Sequence, residues 1–201
     1  MDAELMILGS AQDGGVPHAG CVCPNCQAAR ADPARRRLPA SAGIIAGEQL
    51  ALIDATSAFE EQYHLLWSRL GRSTGFSGER YGAPEIVIIT HAHSGHYMGL
   101  WQLDRSVLAA RDTRVLAAPK TLAFLASNEP WKTMRAEGFI SLENLPLDTP
   151  VDLLPGVMLT ALAVPHRAEW QTDTVALRID GQSRSALYLP DIDSWDEWDH
   201  D

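Results

Sequence analysis

The alternation of apolar and polar positions divides this chain into strand-like runs, one clear amphipathic helix and turn-rich connections. Residues 5–8 predict a short first strand that ends at Gly9. Residues 42–46 and 50–54 predict a hairpin, with Gly47-Glu48 at its turn. Over 58–70 the apolar residues Phe59, Tyr63, Leu66, Trp67 and Leu70 recur at helical spacing, while His64 falls off that stripe and is expected on the surface. A Gly- and Ser-rich stretch, 71–82, predicts a flexible connection. Residues 86–89, Ile-Val-Ile-Ile, have the continuous β-branched pattern of a buried strand, which Thr90 ends. A helix is expected to begin at Met98, Gly99, Leu100 and Trp101, a strand at 115–117, and a helix at 121–127 entered after Pro119. The last third reads as strands at 157–164, 174–179 and 186–189, with Gly181 in a turn. Strands, a helix, a strand–helix unit and further strands predict a mixed α/β layered protein rather than a bundle. No repeat of fixed length and no low-complexity segment interrupts this pattern.

The chemistry sits where the strands end. The run 86–89 leads directly into His91, His93 and His96, three of the seven histidines of the chain within six residues. Val164-Pro165-His166 places another histidine just past a strand, and Leu189-Pro190-Asp191 places an aspartate just past another. Three histidines and a carboxylate are a suitable set for zinc or another borderline divalent ion, with room for water. All three cysteines, Cys21, Cys23 and Cys26, lie close together, which argues against a disulfide framework. Three thiolates at that spacing can converge on one zinc and leave one tetrahedral position open, for which His18 is a local candidate and His200 a distant one. A redox pair, Cys23 and Cys26, is the alternative, although no thioredoxin-like βαβ pattern surrounds it. The turn-rich loop 11–18 carries Asp13, Gly14, Gly15 and His18 and borders the expected pocket; it lacks the residues of a phosphate loop.

Composition narrows the partners. At 201 residues the chain suits one domain, spanning 1–201. A net charge of −10 gives no general attraction for nucleic acid or for an anionic membrane. The one basic run, Arg35, Arg36 and Arg37, is expected in a solvated loop. No apolar stretch approaches the ~20 residues of a membrane span, and the start Met-Asp-Ala-Glu-Leu lacks signal-peptide character. A cytoplasmic location, a small-molecule substrate, no nucleic acid and no membrane are the expectations; a homodimer stays open. Trp131, Trp170, Trp195 and Trp198 are expected to pack rather than to bind substrate.

The histidine motif at a strand end, the later lone His166 and the later lone Asp191 resemble the metallo-β-lactamase fold superfamily. The segment Leu-Gly-Ser-Ala-Gln-Asp-Gly-Gly-Val-Pro and the three cysteines are similar to the branch that holds coenzyme PQQ synthesis protein B and the cyclic phosphodiesterase of phosphonate metabolism. So are Thr-His-Ala-His-Ser-Gly-His-Tyr-Met-Gly-Leu and Leu-Pro-Asp-Ile-Asp-Ser-Trp. The resemblance implies an αββα sandwich in which His91, His93 and His166 hold a first metal, Asp191 bridges to a second and His96 serves that second site. Asp191 and His96 thereby become the catalytic candidates. Zinc is the implied ion, one or two at the histidines, with iron as an alternative; a further, structural zinc sits at the cysteines. Asp54 resembles an early aspartate that supports the metal loop by hydrogen bonding.

Two departures matter. The superfamily pattern has an aspartate where this chain has Gly95, and a further histidine expected beyond Asp191 has only His200 to answer it. A complete fold of this kind continues past Pro190-Asp191, so the chain is expected to be C-terminally truncated. Asp191 or, better placed, Asp193 is alternatively an N-cap for a helix starting near Trp195. The implied reaction is metal-assisted hydrolysis of a phosphodiester or an ester- or amide-type small molecule. An iron-dependent oxidation or hydroxylation in PQQ-type cofactor synthesis, and a non-catalytic carrier or inactive fragment, are the competing expectations.

Overall fold

A computed structural model describes residues 3–70, 82–167 and 170–199. The connection expected at 71–82 lies outside them except for Gly82, as does His200. Six strands form the first sheet in chain order: β1 (Ala3–Gly9), β2 (Ser41–Ala46), β3 (Gln49–Ile53), β4 (Ile86–Ile89), β5 (Thr113–Ala117) and β6 (Ile140–Asn144). Its first three strands are antiparallel and β3 to β6 run parallel. A second, antiparallel sheet holds β7 (Val151–Leu154), β8 (Val157–Ala163), β9 (Val175–Asp180) and β10 (Ser185–Tyr188) in the order β10-β9-β8-β7. The helices are α1 (Pro24–Ala31), α2 (Phe59–Arg69), α3 (Ser94–Tyr97), α4 (Pro119–Ser127) and α5 (Trp131–Ala136).

The strand period explains the layers. In β4, Val87 and Ile89 face a core shared with Phe59, Tyr63 and Leu66 of α2 and with Leu125 and Trp131. Ile86 and Ile88 face the second sheet, meeting a core that includes Leu159, Val175 and Leu177. A strand covered on both faces has no polar side to show, hence its unbroken apolar run. Helices, first sheet and second sheet are thus stacked as in the first three layers of the αββα sandwich. Gly43 lets α2 approach: a Cβ there would lie 2.4 Å from Leu66 Cδ1. The stripe of α2 buries Phe59, Tyr63 and Leu66 as expected, and also Gln62, whose amide is satisfied by Thr56 Oγ1 and the Pro39 carbonyl at 2.7 and 2.8 Å. His64 is exposed.

The helix expected from Met98 begins earlier, at Ser94, inside the histidine cluster, and continues as a 3-10 segment over Met98–Leu103. Arg35 closes a 3-10 turn on the surface and pairs with Asp32 at 3.4 Å, in keeping with a solvated basic run. No helix among the described residues is long and apolar enough to cross a membrane.

Candidate metal centre

Four strand ends meet at one edge of the two sheets. After β3, Asp54 turns into the left-handed region (φ 62°) with its carboxylate fully buried. Aspartate tolerates that region better than most residues, because its short polar side chain bonds locally. Here it receives the Thr90 N–H at 2.9 Å, the Thr90 hydroxyl at 2.9 Å and His96 Nδ1 at 2.8 Å. Asp54 therefore holds the loop after β4 and orients one of its histidines. Gly99 tightens the same junction, since its N–H donates to Ala55 O at 2.8 Å and a Cβ would lie 2.1 Å from Thr56 O.

His91 and His96 are buried, and His93 ends the extended loop as the residue before α3, without capping that helix by its ring. From the second sheet, the segment after β8 delivers His166 and the segment after β10 delivers Asp191. His93 Nδ1 lies 3.0 Å from His91 Nε2 and 3.1 Å from His166 Nε2. Asp191 Oδ2 lies 3.4 Å from His91 Nε2 and 3.1 Å from His96 Nε2. The structure thus brings His91, His93 and His166 together as one group, and His91, His96 and Asp191 as an adjoining one.

The hydrogen-bond network assigns the ring protons. The Thr90 hydroxyl donates to Asp54 and so accepts from His91 Nδ1, 3.0 Å away, which leaves His91 Nε2 a bare lone pair. His166 Nδ1 donates to Asp193 at 2.8 Å, so its Nε2 is bare too. Two lone pairs then face a single nitrogen of His93, and one of them also faces a carboxylate oxygen. One proton on His93 satisfies at most one such pair. A cation among these atoms removes the conflict, and the residues fit a divalent ion on that ground.

Electrostatics agree. Burial, reinforced by the charge of His96, pushes His91 down to about 2, so its ring is neutral. Burial opposes charge on His96 as well, but the Asp54 carboxylate and hydrogen bonds to Asp13, Asp191 and Asp54 outweigh it and push that ring up to about 12. Hydrogen bonding to His96 is the main reason Asp13 is held down to about 2 and Asp191 below its usual range. The Tyr188 hydroxyl is buried near these carboxylates, with no hydrogen-bond partner among the described residues. Burial, then Asp54 and Asp191, push its pKa up.

Asp193 caps no helix: the described residues around Trp195 form turns. Its carboxylate instead holds His166 and accepts the Arg167 N–H at 2.7 Å. Trp131 and Phe124 pack with Tyr97, Trp170 stacks on Phe124 at 6.2 Å, and Trp198 donates to Ala163 O at 2.7 Å.

The thiols of Cys21, Cys23 and Cys26 also converge. Arg30 of α1 pins their loop through the carbonyls of Cys21 and His18 at 2.6 and 2.9 Å. The Cys26 N–H, followed by the neighbouring thiols, lowers Cys23 to about 7, which favours its thiolate. His18 reaches Cys26 Sγ through its backbone N–H at 3.3 Å, whereas its ring lies against Gly14 and turns Nδ1 to Ala19 O. The ring is not gathered with the three thiols.

Residues 51–200 match the family model for the Beta-lactamase superfamily domain. Coenzyme PQQ synthesis protein B of Xanthomonas oryzae pv. oryzae is 28% identical over 206 residues, covering 93% of this chain and 64% of the relative. Its counterpart in Methylorubrum extorquens is 25% identical over 187 residues, covering 92% and 60%. The chain therefore spans about three fifths of these relatives' length. Among solved structures, Zn(2+)-bound PqqB from Methylobacterium extorquens superposes with a TM-score of 0.75 at 22% identity, over 94% of this chain and 65% of that one. A diphosphatase of the PhnP family superposes with 0.63 at 24%, over 89% and 62%. Both share the fold.

Proposed function

The chain belongs to the beta-lactamase superfamily, and we propose that it acts as a metal-dependent hydrolase of a phosphodiester or an ester- or amide-type small molecule, on a branch akin to coenzyme PQQ synthesis protein B. The observation that carries this reading is the meeting of the bare Nε2 atoms of His91 and His166 with His93 Nδ1 and Asp191 Oδ2. His91, His93, His166 and Asp191 would hold the ion, zinc by the chemistry of the set. A divalent ion there supplies Lewis acidity toward a phosphoryl or carbonyl oxygen and makes water a nucleophile near neutral pH.

The chain's own groups do the rest. Thr90 and Asp193 fix the rings of His91 and His166 so that the correct nitrogens face inward. Asp191 stands between His91 and His96, where its carboxylate can orient a water and accept its proton. Positive charge at His96 Nε2, sustained by Asp54, faces the same space and stabilises negative charge developing on substrate oxygen. Cys21, Cys23 and Cys26 would hold a separate structural zinc. The working setting is the cytoplasm, with a small molecule as the partner.

A second reading rests on Gly95: without a carboxylate at that position, a single iron at the same ligands would support an oxygen-dependent hydroxylation. Metal quantification on purified wild type and His91→Ala, with turnover of an activated phosphodiester and an activated ester, separates the two. Zinc with turnover, both lost in His91→Ala, is the expected result. Iron with oxygen-dependent product overturns hydrolysis in favour of hydroxylation. Folded protein without stoichiometric metal overturns both.

A further inference from the structure

Gly95 occupies the place where a second-metal carboxylate is missing, and the structure fills that place from elsewhere. A Cβ built on Gly95 would lie 2.3 Å from Asp13 Cβ, 2.5 Å from Asp13 Cγ and 2.7 Å from Asp13 Cα. No real Cβ tolerates such contacts, and one of them is backbone, so any larger residue at 95 would drive the loop away. Asp13 and Gly95 are therefore a mutually exclusive pair. The aspartate has its carboxylate in the space that the absent side chain would enter, and Asp13 Oδ1 stands 3.4 Å from His96 Nε2. Asp191 Oδ2 faces the same nitrogen at 3.1 Å.

The loop that carries Asp13 is held on both sides. Gly15, at φ +70°, donates to Gln12 O at 2.7 Å and closes a tight turn around Asp13. Just beyond it, Val16 and Arg37 exchange backbone hydrogen bonds at 2.8 and 2.9 Å. Just before it, the N–H of Ala11 donates to Leu38 O at 3.0 Å. This anchoring fixes the approach of the carboxylate, so the contact with His96 is not the chance visit of a surface side chain.

We propose that Asp13 replaces the carboxylate lost at position 95 and completes a second divalent-metal position with His96 and Asp191. The proposal rests on the reading of the histidine cluster as a metal site. It predicts two ions there rather than one, although the local motif lacks its acidic member. A hard anionic oxygen, an imidazole nitrogen and a shared carboxylate suit zinc, with water completing the sphere. His96 Nε2 gives up its proton when the ion binds.

The test counts ions by elemental analysis after loading with zinc and removing excess, with the cysteine-bound zinc and thermal unfolding as folding markers. Wild type is expected to hold two ions at the histidine centre. Asp13→Ala is expected to hold one, with the second binding step weakened by more than the ~10–100-fold that loss of an outer-shell partner brings. The double variant Asp13→Ala/Gly95→Asp is expected to recover the second ion, because removing the Asp13 side chain relieves most of the overlap. Should Asp13→Ala fail to fold, Asp13→Asn, which keeps the shape and removes the charge, decides the matter by the same count. Two ions retained in the folded single variant, or one ion in both wild type and variant, overturns the proposal and leaves the metal centre standing. No ion at the centre in wild type overturns the reading beneath it. Failure of the double variant to regain the ion while folded refutes the equivalence of the two positions.

Discussion

Replacing Asp54 by asparagine isolates one negative charge while keeping shape and backbone preference. Asparagine, like aspartate, is at home at φ 62°, so the turn after β3 survives the change. Its amide oxygen can keep the bonds to the Thr90 N–H and hydroxyl, now 2.9 Å long. Its NH2 group must then face His96 Nδ1, which in the wild type donates at 2.8 Å. Two donors cannot share that contact, so His96 moves its proton to Nε2 and accepts at Nδ1. The nitrogen that faces Asp191 and Asp13 is thereby blocked. Loss of one buried, charge-assisted hydrogen bond costs about 1.5–3 kcal/mol of metal-free stability. Affinity for the ion at His96 falls ~10–100-fold, as for other partners that orient a ligand. Urea denaturation in chelator reads the first number and zinc competition against a chromophoric chelator reads the second. An Asp54→Asn protein that folds with wild-type zinc affinity would refute the claim that Asp54 sets the His96 tautomer.

The other expectations are of the same kind. Asp193→Ala should weaken zinc binding ~10–100-fold with little change in metal-free stability, because its work is to hold His166 rather than the core; competition titration and thermal melts read the two effects separately. Cys23→Ala should lose one zinc per chain and keep the ions of the histidine centre, and identical metal content in wild type and variant would show that the thiols hold none. Leu66→Ala, which empties the space between α2 and Gly43, should cost ~2–5 kcal/mol in denaturant unfolding. Metal-free protein should be most stable near pH 6.5. Below that value the unfolded chain takes up a proton that His91, held down to about 2, refuses in the fold. Above it the fold keeps a proton on His96, raised to about 12, that the unfolded chain releases. Each limb has a limiting slope of about 1.4 kcal/mol per pH unit, the alkaline limb should shrink in Asp54→Asn, and a flat profile across neutrality would contradict both assignments.

Legibility in the sequence followed burial geometry. Strands β2 to β5 and β8 to β10, with α2 and α4, announce themselves because one or both faces are covered, so period or run length survives in the residue pattern. Helix α1 was missed because only Cys26 and Ala29 are buried, leaving no apolar stripe. Strand β6 shows mostly half-buried positions at a sheet edge, and β7 is four residues long between Pro150 and Pro155. Helix α5 is too short to establish a period. At the site, the residues at strand ends were readable from the chain order alone. Asp193 was hidden by a competing local role as a helix cap, and Asp13 by the fact that its partner is a glycine, whose meaning lies in the space it leaves.

The two sheets contribute unequal halves of the centre: the turn after β4 brings His91, His93 and His96, and the ends of β8 and β10 bring His166 and Asp191. An ion shared between them fastens one sheet to the other at an edge where, apart from side chains, the Val175 N–H to Thr90 O bond of 3.1 Å is a main-chain tie. A ligand that binds only the folded state, at ~1,000 times its dissociation constant, adds about 4 kcal/mol to stability. Metal supply would then govern how long each molecule survives as well as how fast it works. In a metal-starved cell the same loss that silences the centre loosens the seam, and idle copies become the ones proteases remove first.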